Sequence, residues 1–160
     1  MCQVNDVISG VLLTLHKHEV ILWPERWTAL QLPTNLTWTT VPFLAQSTSV
    51  IADVAGVYAF VIQPQTPLTL ITSYLMYVGK TDRSLRQRFR EYLRERDQGN
   101  IRPKLLRILP LYGEHLFFAF APVSTGHTPT NIEAALLGAF IPPGNDQINV
   151  QVNRIRKAFQ

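Results

Sequence analysis

The chain has 160 residues and a single cysteine, Cys2, so it has no internal disulfide and no cysteine-based metal cluster. Apolar residues make up 46% and charged residues 16%, which excludes a disordered chain and allows one domain with a real core. The net charge of +4 is unevenly placed: Arg83 to Arg107 holds nine basic and three acidic residues, and the rest of the chain is slightly acidic.

Val7, Ile8, Val11, Leu12 and Leu15 fall on one helical face, with Asn5 or Asp6 placed to cap it. Their β-branched content leaves a strand open as the alternative. The run is too short to span a bilayer and lacks the basic residues that precede a signal-peptide core. With the lone cysteine, this predicts a cytoplasmic protein with no membrane partner. His16 and His18 have no third ligand nearby and read as exposed surface residues. Trp23, Trp27 and Trp38 read as buried core anchors rather than platforms for stacking bases. Residues 1–50 are taken as an N-terminal extension and 51–160 as the main domain.

Val54 to Gln63 alternates and is rich in β-formers, so it predicts a strand. Pro64 to Pro67 interrupts it, and Ser73 to Lys80 predicts the return strand. A turn between Pro67 and Leu68 would set Tyr58 directly opposite Tyr77, with both phenols on one face. Asp82 or Ser84 can cap a helix running to about Asp97. Leu85, Phe89, Tyr92 and Leu93 form its buried stripe. Arg88 borders that stripe and leans toward the sheet, while Arg86, Arg90 and Arg94 face outward.

Gly99-Asn100 breaks the helix. Pro103 opens a second one, with Leu105, Leu106, Ile108 and Leu109 inward and Pro110 at its end. His115 to Val123 predicts a strand buried on both faces. Thr128-Pro129 starts a helix that continues to Phe140, in which Glu133 is the only charged residue before Gly144. Pro142-Pro143-Gly144-Asn145 forces a turn. Ile148, Val150 and Val152 alternate as a last strand, followed by basic Arg154, Arg156 and Lys157. The order predicts an α+β fold, a small antiparallel sheet flanked by helices.

Several of these residues form a pattern. Gly56-Val57-Tyr58 is followed, nineteen residues after Tyr58, by Tyr77-Val78-Gly79, then by Arg88 on a helix and by the isolated Glu133. This order resembles the GIY-YIG nuclease superfamily over about residues 54–150, with valine replacing isoleucine in both triplets. Arg88 lies one residue further from Tyr77 than is usual in that family. Leu85 keeps the L-x-x-R spacing, so a one-residue insertion in the preceding loop accounts for it, with Arg86 as the fallback.

The resemblance implies a site. Tyr58 would position or deprotonate an attacking water, and Tyr77 would assist by hydrogen bonding. A phenol titrates near about pH 10 and is a poor base unless its neighbours favour the phenolate. Arg88 would clamp a phosphate through two donors. Glu133 is costly to bury alone; it is either a partly exposed outer-face residue or the ligand of one Mg²⁺ or Mn²⁺ ion, which needs only one or two carboxylates.

Asn145, or alternatively Asn149, would brace the site. Lys80, Arg86 and Tyr92 would line the substrate, and Gly79 would let the chain turn close to it. The implied function is a metal-dependent endonuclease that hydrolyses phosphodiester bonds in nucleic acid, DNA first. The alternative is a non-cleaving nucleic-acid-binding module on the same fold. The N-terminal third would select substrate or pair two copies into a homodimer. A basic stretch is ordinarily a solvated face, but beside such a site it marks a polyanion surface.

Overall fold

The structure, a computed structural model, describes residues 15–64 and 72–145. The predicted helix before Leu15, the connection 65–71, the last strand with Asn149 and the basic tail lie outside these residues. The described elements are α1 (Pro24–Thr28), β1 (Thr39–Pro42), β2 (Gly56–Ile62), β3 (Tyr74–Thr81), α2 (Leu85–Gln98), β4 (Leu116–Pro122) and α3 (Pro129–Phe140). They form the predicted α+β architecture. The four strands make one antiparallel sheet in the order β1-β4-β2-β3. No helix among the described residues is long and apolar enough to cross a membrane.

The sheet has two unlike faces. On one, Tyr58, Phe60, Tyr77, Phe118 and Phe120 pack with Leu85, Phe89, Tyr92 and Leu93 of α2. On the other, the small residues Val57, Ala59, Val78, Ala119 and Ala121 receive Ile132 and Leu136 of α3. The strict alternation along β2 and β4 produces this division. Large rings fill the space under α2, and short side chains leave room for α3 to approach.

The hairpin register differs from the expected one. Tyr58 pairs with Gly79 and Phe60 with Tyr77, with a shift between Phe60 and Val61 that leaves Met76 as the extra residue of a bulge. Tyr58 and Tyr77 are thus diagonal rather than directly opposed, with ring centroids 6.4 Å apart. The displacement from the expected partner is two residues, so both phenols keep the same face.

Three further expectations are corrected. The segment from Pro103 is a single 3₁₀ turn, Pro103–Leu105, followed by turns rather than a second helix. Proline at 103 and 110 bounds a stretch too short to propagate, and Pro110 disfavours helical backbone at Leu109. Leu105, Ile108 and Leu109 are still buried, but Leu106 is 48% exposed. The boundary at residue 50 also cuts through the fold: β1 lies before it and pairs with β4, and Phe43 sits in the aromatic core. Finally, the tryptophans are not core anchors. Trp27 is 38% and Trp38 39% exposed, and α1 buries no residue. Trp27 stacks instead on Phe140 of α3, and Arg26 lies over Trp23.

Gly79 has a different role from the one expected. A β-carbon there would meet the Tyr58 ring and hydroxyl at 2.6 Å, so the glycine is the flat seat of that ring rather than a turn near substrate. Gly79→Ala is expected to destabilise the fold by about 1–3 kcal/mol through overpacking, read as a lower urea midpoint at unchanged m-value. An unaltered midpoint would show that Tyr58 does not need this seat.

Candidate active site

Ser84 is the cap of α2: its side chain accepts the Gln87 N–H, and Gly99 closes the helix in the left-handed region at φ 70°. This capping fixes Arg88 one turn into the helix, beside the buried stripe as expected. Its Nε donates to the Tyr58 hydroxyl at 3.1 Å, and its Nη1 donates to Glu91 at 2.7 Å. Its guanidinium carbon lies 4.7 Å from the centroid of the Tyr92 ring. The Tyr58 and Tyr92 hydroxyls are hydrogen-bonded at 2.7 Å. Arg102 adds a second guanidinium 5.1 Å from the Tyr92 centroid and pairs with Glu95.

Electrostatics keep this cluster cationic at Arg88. Burial works against the guanidinium charge, but Tyr58, Tyr92 and Glu91 outweigh it, and the Arg88 pKa is raised. Burial would raise Glu91 too, yet the hydrogen bond and charge of Arg88, with Arg83 and Arg102, hold its carboxyl below the usual range. The phenols go the other way. Burial and then Tyr58 push Tyr77 up, against Lys104. Burial, followed by Tyr58 and Tyr77, pushes Tyr92 up strongly, against Arg88. Nearby cations therefore do not make phenolates of Tyr77 and Tyr92, because desolvation is the larger effect.

Both phenols lie inside the fold: Tyr58 is 1% and Tyr77 6% exposed. Phe118 stacks on Tyr58 at 5.2 Å, and Tyr92 meets it edge-on at 5.7 Å. The accessible rim of the cluster is made by Arg88 and Glu91 instead.

Glu133 arrives from the other side of the sheet, since α3 packs on the small-residue face. It is half-buried, and Lys80 of edge strand β3 is among the charges that act on it. Burial raises its pKa, Lys80 and Lys104 oppose this, and Asp82 adds to it. Its charge also acts on Tyr77. The carboxylate therefore bears on the phenol cluster through its charge on Tyr77, from the helix on the opposite face of the sheet.

Asn145 is buried and holds that edge. Its amide oxygen accepts the Val78 N–H at 2.9 Å and its amide nitrogen donates to the Val78 carbonyl at 2.8 Å. Gly144 N–H bonds the Met76 carbonyl at 2.8 Å, so residues 144–145 cover part of the open edge of β3. Among the described residues Asn145 hydrogen-bonds to backbone alone, as a positioning residue would. Lys80 is paired with Asp82. Arg86 is drawn back to the Ile51 carbonyl at 2.9 Å and to Asp53, so Arg88, not the fallback, meets Tyr58. Arg90 and Arg94 face outward as expected. His18 is not a free surface histidine: it is half-buried and hydrogen-bonded to Tyr112.

Sequence reasoning passed over Glu91, Arg102 and Lys104. Glu91 had a signal, an acid three residues after Arg88 on one helix. Arg102 and Lys104 had none, because they reach the site only after the chain breaks at Gly99. No protein-family model, curated protein or solved structure matches the chain.

Two outcomes test this geometry. Asn145→Ala leaves the Val78 N–H and carbonyl unpaired and is expected to cost about 2 kcal/mol of stability, measured by urea unfolding. The folded Glu133 pKa is raised, so its favourable contribution is complete below the unfolded carboxylate pKa and is lost as pH rises through the folded value. Glu133→Gln should therefore melt higher than wild type at pH 7, with the gap closing toward about pH 4. A variant that melts lower at pH 7 would mean that the ionised carboxylate is stabilised by its lysines.

Proposed function

We propose that this protein is a divalent-metal-dependent endonuclease of GIY-YIG type that hydrolyses phosphodiester bonds in nucleic acid, with DNA as the first substrate to test. The observation that carries this reading is the direct bonding of Arg88 to Tyr58, with Tyr92 beneath its guanidinium. Tyr58 and Arg88, two of the residues in the motif, lie thirty positions apart in sequence and are in direct contact there. A cation held rigidly by phenols, with a carboxylate at the neighbouring edge, suits a phosphate with developing negative charge.

Arg88 would bind the phosphate. Its Nε and Nη1 are occupied, and Nη2 takes part in no hydrogen bond among the described residues. Tyr58 and Tyr92 hold the guanidinium in orientation, and Glu91 fixes its other side. Tyr77, kept neutral, would donate a hydrogen bond to the substrate or the attacking water rather than remove a proton.

The donor set at Glu133, with Asp82 near enough to affect its charge, fits a hydrated Mg²⁺ or Mn²⁺ completed by water and substrate phosphate. No group of three or more acidic, histidine or cysteine side chains forms a closed cage among the described residues. Such an ion would supply Lewis-acid stabilisation of the leaving oxygen. Lys80 and Lys104 would partly offset the burial that disfavours the ionised Glu133 carboxylate.

A second reading, a binding module that does not cut, is favoured by the interior position of the Tyr58 hydroxyl. Nicking of supercoiled plasmid, with labelled duplex, single-stranded DNA and RNA beside it, separates the two. Wild type should cut only with Mg²⁺ or Mn²⁺, Glu133→Ala should be inactive, and Arg88→Ala should lose roughly 10²–10³-fold in rate. Equal cutting by Glu133→Ala and wild type would remove Glu133 from the mechanism. No cutting of any form would leave the binding module.

A further inference from the structure

A cleft of about 470 Å³ lies between residues 17–21, the 103–108 segment and residues 141–144. Its cations are Lys17, Lys104 and Arg107, with His18 beside them and Glu19 as the only acid in its lining. The pairing of charges elsewhere makes this cleft distinctive. Arg83, Arg86, Arg88, Arg96 and Arg102 all have carboxylate partners. Lys17, Lys104 and Arg107 take part in no ion pair among the described residues. Three cations without a carboxylate in contact thus converge on one concavity, where low-dielectric walls concentrate their field.

That field is felt by the neighbouring histidine. Burial lowers the His18 pKa first, and the charges of His16 and Arg107 lower it further. The cleft is also built onto the candidate site. A β-carbon at Gly144 would meet Ile108 at 2.6 Å and the Met76 carbonyl at 2.7 Å, so the cleft wall is seated on β3 next to Tyr77. Lys104 acts on both Tyr77 and Glu133 and so belongs to cleft and site at once.

We propose that this cleft binds the phosphates of a nucleic-acid strand running past the candidate site, with Lys17, Lys104 and Arg107 as its contacts. Residues 17–21 are then part of the nucleic-acid surface rather than a separate extension. The inference rests on the nucleic-acid part of the proposed function, not on cutting.

The test is fluorescence anisotropy of the full chain with fluorescein-labelled duplex and single-stranded oligonucleotides in EDTA, over a salt series. The double variant Lys17→Ala/Arg107→Ala avoids the candidate catalytic residues. At about 0.1 M salt it should bind at least about 5-fold more weakly, and its log–log salt slope on duplex should be shallower by about two. Glu19→Gln should bind more tightly than wild type. Arg90→Ala/Arg94→Ala, which removes exposed cations of α2 outside the cleft, should have the smaller effect.

Wild-type affinity and slope in the folded cleft variant, verified by circular dichroism, would overturn the proposal. So would a larger loss in the α2 variant. Because EDTA removes the metal, a chain that binds through the cleft but never nicks plasmid would end the endonuclease reading and leave this one standing.

Discussion

The hydrogen bond from Arg88 to Tyr58 is the constraint on which the arrangement turns. A guanidinium bordering an aromatic core is costly unless its donors are met and its charge is offset. Tyr58 meets one donor, Glu91 meets another, and the Tyr92 ring lies beneath the charge. Together these contacts tie α2 to the central part of β2. They also explain the glycine opposite Tyr58: the ring that accepts from Arg88 must lie flat on β3, and any side chain at Gly79 would lift it.

The unlike faces of the sheet follow from which residues alternate along β2 and β4. Aromatic side chains on one face make a thick layer under α2, and alanine and valine on the other bring α3 close. Edge strand β3 is where the two sides meet. Its free backbone groups are capped by Gly144 and Asn145, which both closes an exposed edge and fixes the strand carrying Tyr77. Glu133 reaches the same border from behind. The chemistry proposed for this protein therefore depends on an edge strand being held in place from both faces.

The basic character of the chain has two physical components. Most arginines of the 83–107 stretch are consumed in ion pairs that fasten α2 and the turns after it. The cations left without partners include those of the cleft beside residues 17–21. The net charge is thus a poor guide to where a polyanion would dock; the distribution of carboxylates decides it.

Sequence alone determined several of the elements and their faces. Alternation marked β2, the return after the Pro64 to Pro67 interruption marked β3, and the cap and glycine bounded α2. The spacing of Leu85, Phe89, Tyr92 and Leu93 also put Arg88 on the margin of its buried stripe. Each of these is a local property, set within a turn or a strand pair. Only the tertiary structure decided the hairpin register, which shifts at the Met76 bulge. Packing also decided that the phenols face inward, that α3 carries Glu133 behind the sheet, and that Lys104 joins it there. These depend on contacts between segments separated by loops, and no periodicity in the chain encodes such distances.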